Sequence, residues 1–498
     1  MAESSTDVVV VGAGNAALVA ALAAHEAGAR VVVLESASTD LRGGNSRFSG
    51  GIFRVAHTGL AGLAPLLCES SRPWLDRVDV GPYTTDDYRA DWLRVGAGRP
   101  GRALVDLVID SSYETLGWMQ ARGVEWELTV GKLFAEDAFA GGTRQALPPG
   151  GAIRARHEGI GLMENLFTAV EKAGIEVRYE SPAVGLITSG SQVSGVRVRS
   201  SDRLVDVPGV VVLAAGGFEA NPEMRARYLG AGWDLVKVRG TRFNMGTMLA
   251  AAMTAGAQPV GHWQGCHAVP IDACAPAVGD LTMTDKYSRY TFPYSLMVNV
   301  HAERFVDEGE DQVWLTYAKT GSAIRAQPTG VAFQLFDQQG IPLLEPRYST
   351  GAPVRADTVE GLARELGLPP ASLRRTVDTF NAAVPDDADD RFDPQHNDGL
   401  RAEPAGQPVK SNWARRLEVP PFVAYPVACG ITFTYGGLAV DTSARVLDTE
   451  GRVMPGLFAA GEITGDFFYF NYTAGAGLMR GAVLGRLAGQ HAAQAAGC

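Results

Sequence analysis

Residues 7–35 read DVVVVGAGNAALVAALAAHEAGARVVVLE, and their order decides the fold. Asp7–Val11 is a continuous apolar, β-branched run, as expected of a strand buried in a parallel sheet. The alanine-rich stretch behind it has helical periodicity, and Arg30–Leu34 is a second buried strand. Together they make a βαβ unit. Between the first strand and the helix lies Gly12-x-Gly14-x-x-Ala17. Gly12 permits the tight turn, Gly14 lets the backbone approach a pyrophosphate, and Ala17 allows close helix–strand packing. The helix N-terminus, at Asn15 and Ala16, offers free N–H groups and a partial positive charge to phosphates. Glu35 ends the second strand, where a carboxylate accepts hydrogen bonds from adenosine ribose hydroxyls and repels a 2′-phosphate. Ser36 beside it joins the candidate set.

Further along the chain, Val210–Leu213 reads as a strand leading into Ala214-Ala215-Gly216-Gly217. Leu457–Ala460 reads as another, leading into Gly461-Glu462. The dinucleotide domain therefore draws on both ends of the chain, which points to FAD rather than NAD. Arg42-Gly43-Gly44-Asn45-Ser46 and Gly50-Gly51 bring backbone N–H groups and small side chains to an isoalloxazine ring and ribitol. Gly475-Ala476-Gly477-Leu478 opens a helix over Met479–Ala493, whose N-terminus is placed to face the N1/O2 edge of the ring and stabilise its reduced anion.

The chain of 498 residues is long enough for two or more domains. We expect an α/β fold: a two-part, Rossmann-like FAD-binding domain at 1–260 and 426–498, with an inserted α+β capping domain at 261–425. A net charge of −11 argues against a nucleic-acid surface. The odd count of 5 cysteines, without a CxxC pair, argues against a disulfide framework and against a zinc or iron–sulfur site, and fits a reducing cytoplasm. The polar start MAESSTD lacks the basic segment of a signal peptide. The apolar run at Val8–Val11 is too short to span a membrane. Asp386–Asp398 is acidic but lacks EF-hand spacing, so it reads as a solvated loop and not as a metal site.

The stretches GAGNAALVAALAAHEAGA, RGGNSRFSGG, AAGGFEANPEMRARYLG, KVRGTRFN, GHWQGCHAVP, ERFVDEG, LTYAK, KSNWA and CGITFTYGGLAVD span nearly the whole chain. On these the protein resembles the FAD-dependent fumarate reductase and succinate dehydrogenase flavoproteins, and within them the tricarballylate dehydrogenase type. The resemblance implies a cap inserted before the C-terminal strands, with substrate lying between flavin and cap. It adds Ala183, Val184, Ala215, Gly216, Gly217 and Asn244 to the cofactor-binding set. It implies non-covalent FAD, because the position of the family's flavin-linking histidine falls near Asn45-Ser46. It also implies that His267 binds substrate, although a satisfied core histidine would fit the same local sequence.

The departures matter as much. No Arg follows Arg304-Phe305-Val306-Asp307-Glu308 where fumarate reductases carry their acid. Phe433 replaces a second family histidine, Tyr472-Thr473 replace a family arginine, and the usual proton relay is not recognisable around Ser288–Thr291. Fumarate reduction is therefore not expected. What remains is aromatic and hydroxylic: Tyr317, Tyr435, Tyr469, Tyr472 and Thr473. We expect Tyr472 or Tyr317 to move a proton, with packing against flavin or cap as the other reading of each. A tyrosine serves as a base when its neighbours lower its proton affinity. Lys319 and Arg242 are candidate anion holders. Trp263, Phe292, Phe433 and the run Phe467–Phe470 either line the pocket or fill the core. If they line it, the substrate is bulkier or less charged than tricarballylate. The expected function is a dehydrogenase or desaturase, acting in either direction on a C–C bond next to a carboxyl or carbonyl of a small molecule. The alternatives are an oxidase that uses O2, and an electron-transfer component working with an acceptor protein.

Overall fold

A computed structural model describes residues 6–200 and 203–498, so most of the polar stretch that opens the chain lies outside the described residues. The βαβ unit forms as expected, from β1 (Val8–Val11), α1 (Asn15–Glu26) and β2 (Val31–Leu34). Val8, Val9 and Val10 have no exposed surface, as a strand covered on both faces requires. Across the six-stranded sheet the order is Arg445–Leu447, Val453–Ala459, Val210–Leu213, β1, β2, Glu176–Arg178. Neighbours run parallel except at the Arg445–Leu447 edge. Strands from distant parts of the chain thus stand side by side, and their C-terminal ends open on one crevice, the usual ligand position in such sheets.

The last helix, α2 (Ala476–Ala496), lies against α1. Gly481, Gly485 and Gly489 recur every four residues and so share one face. A Cβ on Gly485 would meet the Ala16 carbonyl oxygen at 2.5 Å, and one on Gly489 would overlap the Ala20 carbonyl. The two backbones touch because these side chains are missing. Asn15 ties the helices at their start by donating from Nδ2 to the Leu478 carbonyl at 2.9 Å.

A second sheet is built on one long strand, Phe422–Thr434. It pairs with Lys237–Val238, Cys266–Asp272, Val331–Phe336 and Val354–Ala356, and Leu296–Asn299 extends the sheet beyond Val331–Phe336. His267 stands opposite Phe433, and the register shifts between His267 and Ala268. Such irregularities re-aim side chains near functional sites. The acidic segment is tied down by Arg416 to Asp386 and by Arg415 to Asp389, while Asp398 accepts the N–H groups of Leu400 and Trp413. No His/Cys/Asp/Glu cluster suited to a metal occurs among the described residues.

Gly489→Val should destabilise the protein by about 1–3 kcal/mol, the usual cost of overpacking. Retained flavin should fall with it, because α2 also carries part of the cavity wall. Thermal unfolding and flavin content of the purified variant check this; an unchanged melting temperature would remove the helix-contact argument.

Candidate active site

The crevice is a cavity of about 560 Å³, within the usual range for small-molecule sites. Its phosphate end is the β1–α1 turn. Gly12, Gly14, Asn15 and Ala16 all line it. Gly12 has φ +102°, a conformation that disfavours a side chain, and a Cβ there would strike the Ala214 carbonyl. Ser46 Oγ accepts the Asn15 backbone N–H at 3.0 Å.

Glu35 and Ser36 line the adenosine side. Burial raises the Glu35 carboxyl above its ordinary range, opposed by backbone N–H groups that include Ala37 at 2.8 Å. Gly44, Asn45, Gly50, Gly51, Ala183, Val184, Ala215, Gly216, Asn244, Gly461, Glu462, Gly475, Gly477 and Leu478 are also at the wall. Arg42, Gly43 and Gly217 lie behind it. The Arg42 guanidinium packs 4.0 Å from the Phe167 ring centroid. Gly43 takes the left-handed turn before the short helix Gly44–Phe48. At Gly217 the missing side chain makes room for Glu462 and Thr434.

These residues fit FAD on two structural observations. The buried Asn15 Oδ1 has no hydrogen-bond partner beside the phosphate turn. Two helices, α1 and α2, begin at the cavity, at Gly14 and Gly475. Their dipoles, with the first-turn N–H groups that remain free, suit phosphates at one end and an electron-rich ring at the other.

Toward the cap the wall turns aromatic. The His267 ring stacks on Phe433 with centroids 4.9 Å apart, and meets Tyr317 and Tyr472 edge-on at 5.0 and 4.9 Å. Burial, helped by Arg239, drives His267 well below its usual proton affinity, so its imidazole is neutral at pH 7. Its Nδ1 has no partner. Burial raises the hydroxyls of Tyr317 and Tyr472, the reverse of what a base needs. Tyr472 Oη accepts the Gly477 N–H at 3.0 Å. Tyr435, Tyr469, Thr473, Trp263, Phe292, Phe467, Phe468 and Phe470 are not at the wall; Phe468 instead stacks on Trp92 at 5.3 Å.

The charged cluster around Asp285 is not anticipated by the sequence. Lys132, Arg239 and Arg347 converge on Asp285, whose side chain is 3% exposed. Ser288 Oγ donates to the same carboxylate at 3.1 Å. Lys132 also pairs with Glu158 at 3.0 Å, Glu158 with Arg154 at 3.0 Å, and Arg154 with Glu127 at 2.9 Å. Arg347 also pairs with Glu345 at 2.9 Å. Each cation has a carboxylate, and Arg239 spends its remaining donors on Ser288 and Thr432. Burial, then Arg347, pulls the Lys132 ammonium down to about 7, and loss of that proton makes the cluster more negative. Arg239 lies in KVRGTRFN, three residues before the candidate Arg242, which lines the cavity but is exposed. Lys132 and Asp285 stand in stretches with no motif. The other candidate, Lys319, pairs with Glu310 at the surface, 2.6 Å away.

A dinucleotide turn, a ring cradle built by the chain's return and a reactive pocket beneath a cap together define a flavoprotein oxidoreductase. The chain belongs to the FAD binding domain family, which matches it over residues 7–478. It is 29% identical to the probable fumarate reductase Ifc3 of Shewanella frigidimarina, over 98% of this chain and 75% of that protein. It is 28% identical to the 4-oxocyclohexanecarboxylate 2-dehydrogenase of Sinomonas cyclohexanicum, over 99% and 94%. Among solved structures it is similar to the open conformation of a flavocytochrome c3 fumarate reductase, with a TM-score of 0.70, 26% identity and coverage of 99% and 79%. The protein is an FAD-dependent oxidoreductase of the CH–CH class, with a fumarate-reductase-like fold. No helix among the described residues is long and apolar enough to cross a membrane.

Asp285→Ala should cost about 3–5 kcal/mol, since it leaves buried cations without their shared carboxylate. Glu35→Ala should weaken FAD binding about tenfold to a hundredfold through lost charged hydrogen bonds. Thermal unfolding checks the first, and flavin titration of the apoprotein the second.

Proposed function

We propose that this protein forms, or in reverse reduces, a carbon–carbon double bond next to a carbonyl or carboxyl group of a cyclic, weakly charged substrate, using non-covalent FAD. The observation that carries the reading is the contrast inside one cavity. An aromatic box of His267, Tyr317, Phe433 and Tyr472 lies beside cations already matched by carboxylates. Flat apolar rings suit a cyclic skeleton. The pairing of Arg239 and Arg347 with carboxylates weakens their grip on a second substrate carboxylate. The name of the Sinomonas relative, which specifies a 4-oxocyclohexanecarboxylate, supports a ring substrate.

FAD, when bound, supplies the hydride acceptor or donor. The chain supplies the proton chemistry. Tyr472 has its oxygen held by Gly477, which leaves its own proton to donate, and burial keeps that proton in place. Neutral His267 hydrogen-bonds the substrate carbonyl. Asn45 and Ser46, each held by hydrogen bonds, support FAD without a covalent link. The free cysteines support a cytoplasmic setting.

The test is anaerobic. Reduced holoenzyme is mixed with cyclic enones, aryl-substituted unsaturated acids and fumarate, and flavin reoxidation is followed. The cyclic compounds should be fastest and fumarate at least about tenfold slower; fumarate as the best substrate would overturn the reading. Phe at position 472 or 317 should lower turnover about a hundredfold or more at the residue that moves the proton. Normal rates in both variants remove tyrosine from the mechanism.

A further inference from the structure

Glu219 was singled out by neither motif nor composition, and it is fully buried. The half-buried carboxyl of Glu462, at the cavity wall, lies beside it, and the Asn244 side-chain amide reaches an oxygen of each. The donors around the pair are few. Asn45 and Asn244 each donate from Nδ2 to Glu219 Oε1, at 2.5 and 2.6 Å. Asn244 also reaches Glu462 Oε2 at 3.4 Å, and the Thr434 N–H donates to Glu462 Oε1 at 2.9 Å. No donor reaches Glu219 Oε2. Two ionised carboxylates gathered on one amide, one of them fully buried, repel each other, and a proton on one partner removes that repulsion and lets it donate to the other.

The pair sits at a mechanical junction. Asn45, held by Glu219, also donates to the Thr432 carbonyl at 2.7 Å, and Glu462 holds Thr434. These bonds straddle Phe433, the floor of the aromatic box. We propose that Glu219 and Glu462 hold one proton between them, and that this proton clamps the end of the Phe422–Thr434 strand to the FAD cradle and so positions Phe433 against flavin and substrate. Glu219 is a positioning residue here: it touches the reacting groups only through Asn45 and Glu462.

The pH consequence has a definite sign. Burial raises both carboxyls. The folded pair therefore binds a proton that the unfolded chain releases at lower pH, and stability falls as pH rises from the ordinary carboxylate range through the pair's own range. The other charged or titratable groups facing the pair are Arg480 on α2, Arg225, whose Nη1 donates to the Glu219 carbonyl at 2.6 Å, and the Cys266 thiol. Arg480 is pulled down to about 10 by burial, and so keeps the pair's remaining charge balanced below that.

Glu219→Gln and Glu462→Gln separate the proton from its neighbours, because an amide donates the same hydrogen bond without titrating. Wild-type holoenzyme is titrated upward from about pH 6, with the flavin's visible circular dichroism and the melting temperature followed together. Both should fall on an alkaline limb in wild type, and that fall should be absent from either variant, in which only the change due to Lys132 remains. An alkaline limb identical in all three proteins overturns the proposal. Infrared spectroscopy of the wild type gives a readout independent of variant folding. A protonated-carboxyl C=O stretch should be present at neutral pH and vanish along the same limb. Absence of that band from the wild type, or its persistence in both variants, sinks the shared proton.

Discussion

Two helices from opposite ends of the chain touch backbone to backbone, and the remainder of the cofactor site is arranged around that contact. Gly481, Gly485 and Gly489 let α2 lie directly on Ala16 and Ala20 of α1. The two helix N-termini are thereby delivered to one cavity. A side chain in the stripe would push α2 outward and take Gly475, Gly477 and Leu478 with it. Helix packing normally leaves room for side chains between the axes. Here the positions of two dipoles depend on leaving none.

The second organising constraint is electrical. A cavity that receives a dinucleotide and an electron-rich ring needs positive potential, and the helix ends provide it without side-chain charge. Three of the cavity's cations, Lys132, Arg239 and Arg347, are spent on Asp285 and its neighbours. Burying an unpaired cation is costly, so pairing them is what makes their burial tolerable. A substrate carboxylate at these three must therefore compete with an internal one.

Much of this was legible in the sequence because the signals are local. The turn at Gly12 and Gly14, the acid at Glu35 and the glycines at Gly475 and Gly477 carry their meaning within a few residues, and the structure brings them to one wall. His267 was legible from its surroundings, and Phe433 from a family position it fails to fill. The Asp285 cluster was not legible, since its partners come from residues 132, 239 and 347, and only Arg239 lies in a recognisable stretch. Of the two basic candidates, Arg242 lines the cavity while Lys319 pairs with Glu310 at the surface, because charge in a sequence does not report position. The FFYF run left two readings open, because aromatic density near a glycine cluster fits core or pocket equally; Phe468 stacks on Trp92. Glu219 was invisible because its importance lies in a contact with Glu462, 243 residues away (462 − 219).

The long strand Phe422–Thr434 connects these two systems. Most of its length pairs within the cap-side sheet, yet its last residues are held by groups of the FAD cradle. Phe433 lies between those attachments and stacks on His267, which the register irregularity turns toward the cavity. A shift of the cap relative to the cradle must therefore either move Phe433 or break the bonds at Thr432 and Thr434. Because those bonds are partly buried, breaking them costs more than the same bonds would in water. Substrate shape and flavin placement are consequently set by one short segment of backbone, and the aromatic box keeps its geometry only while that segment stays pinned.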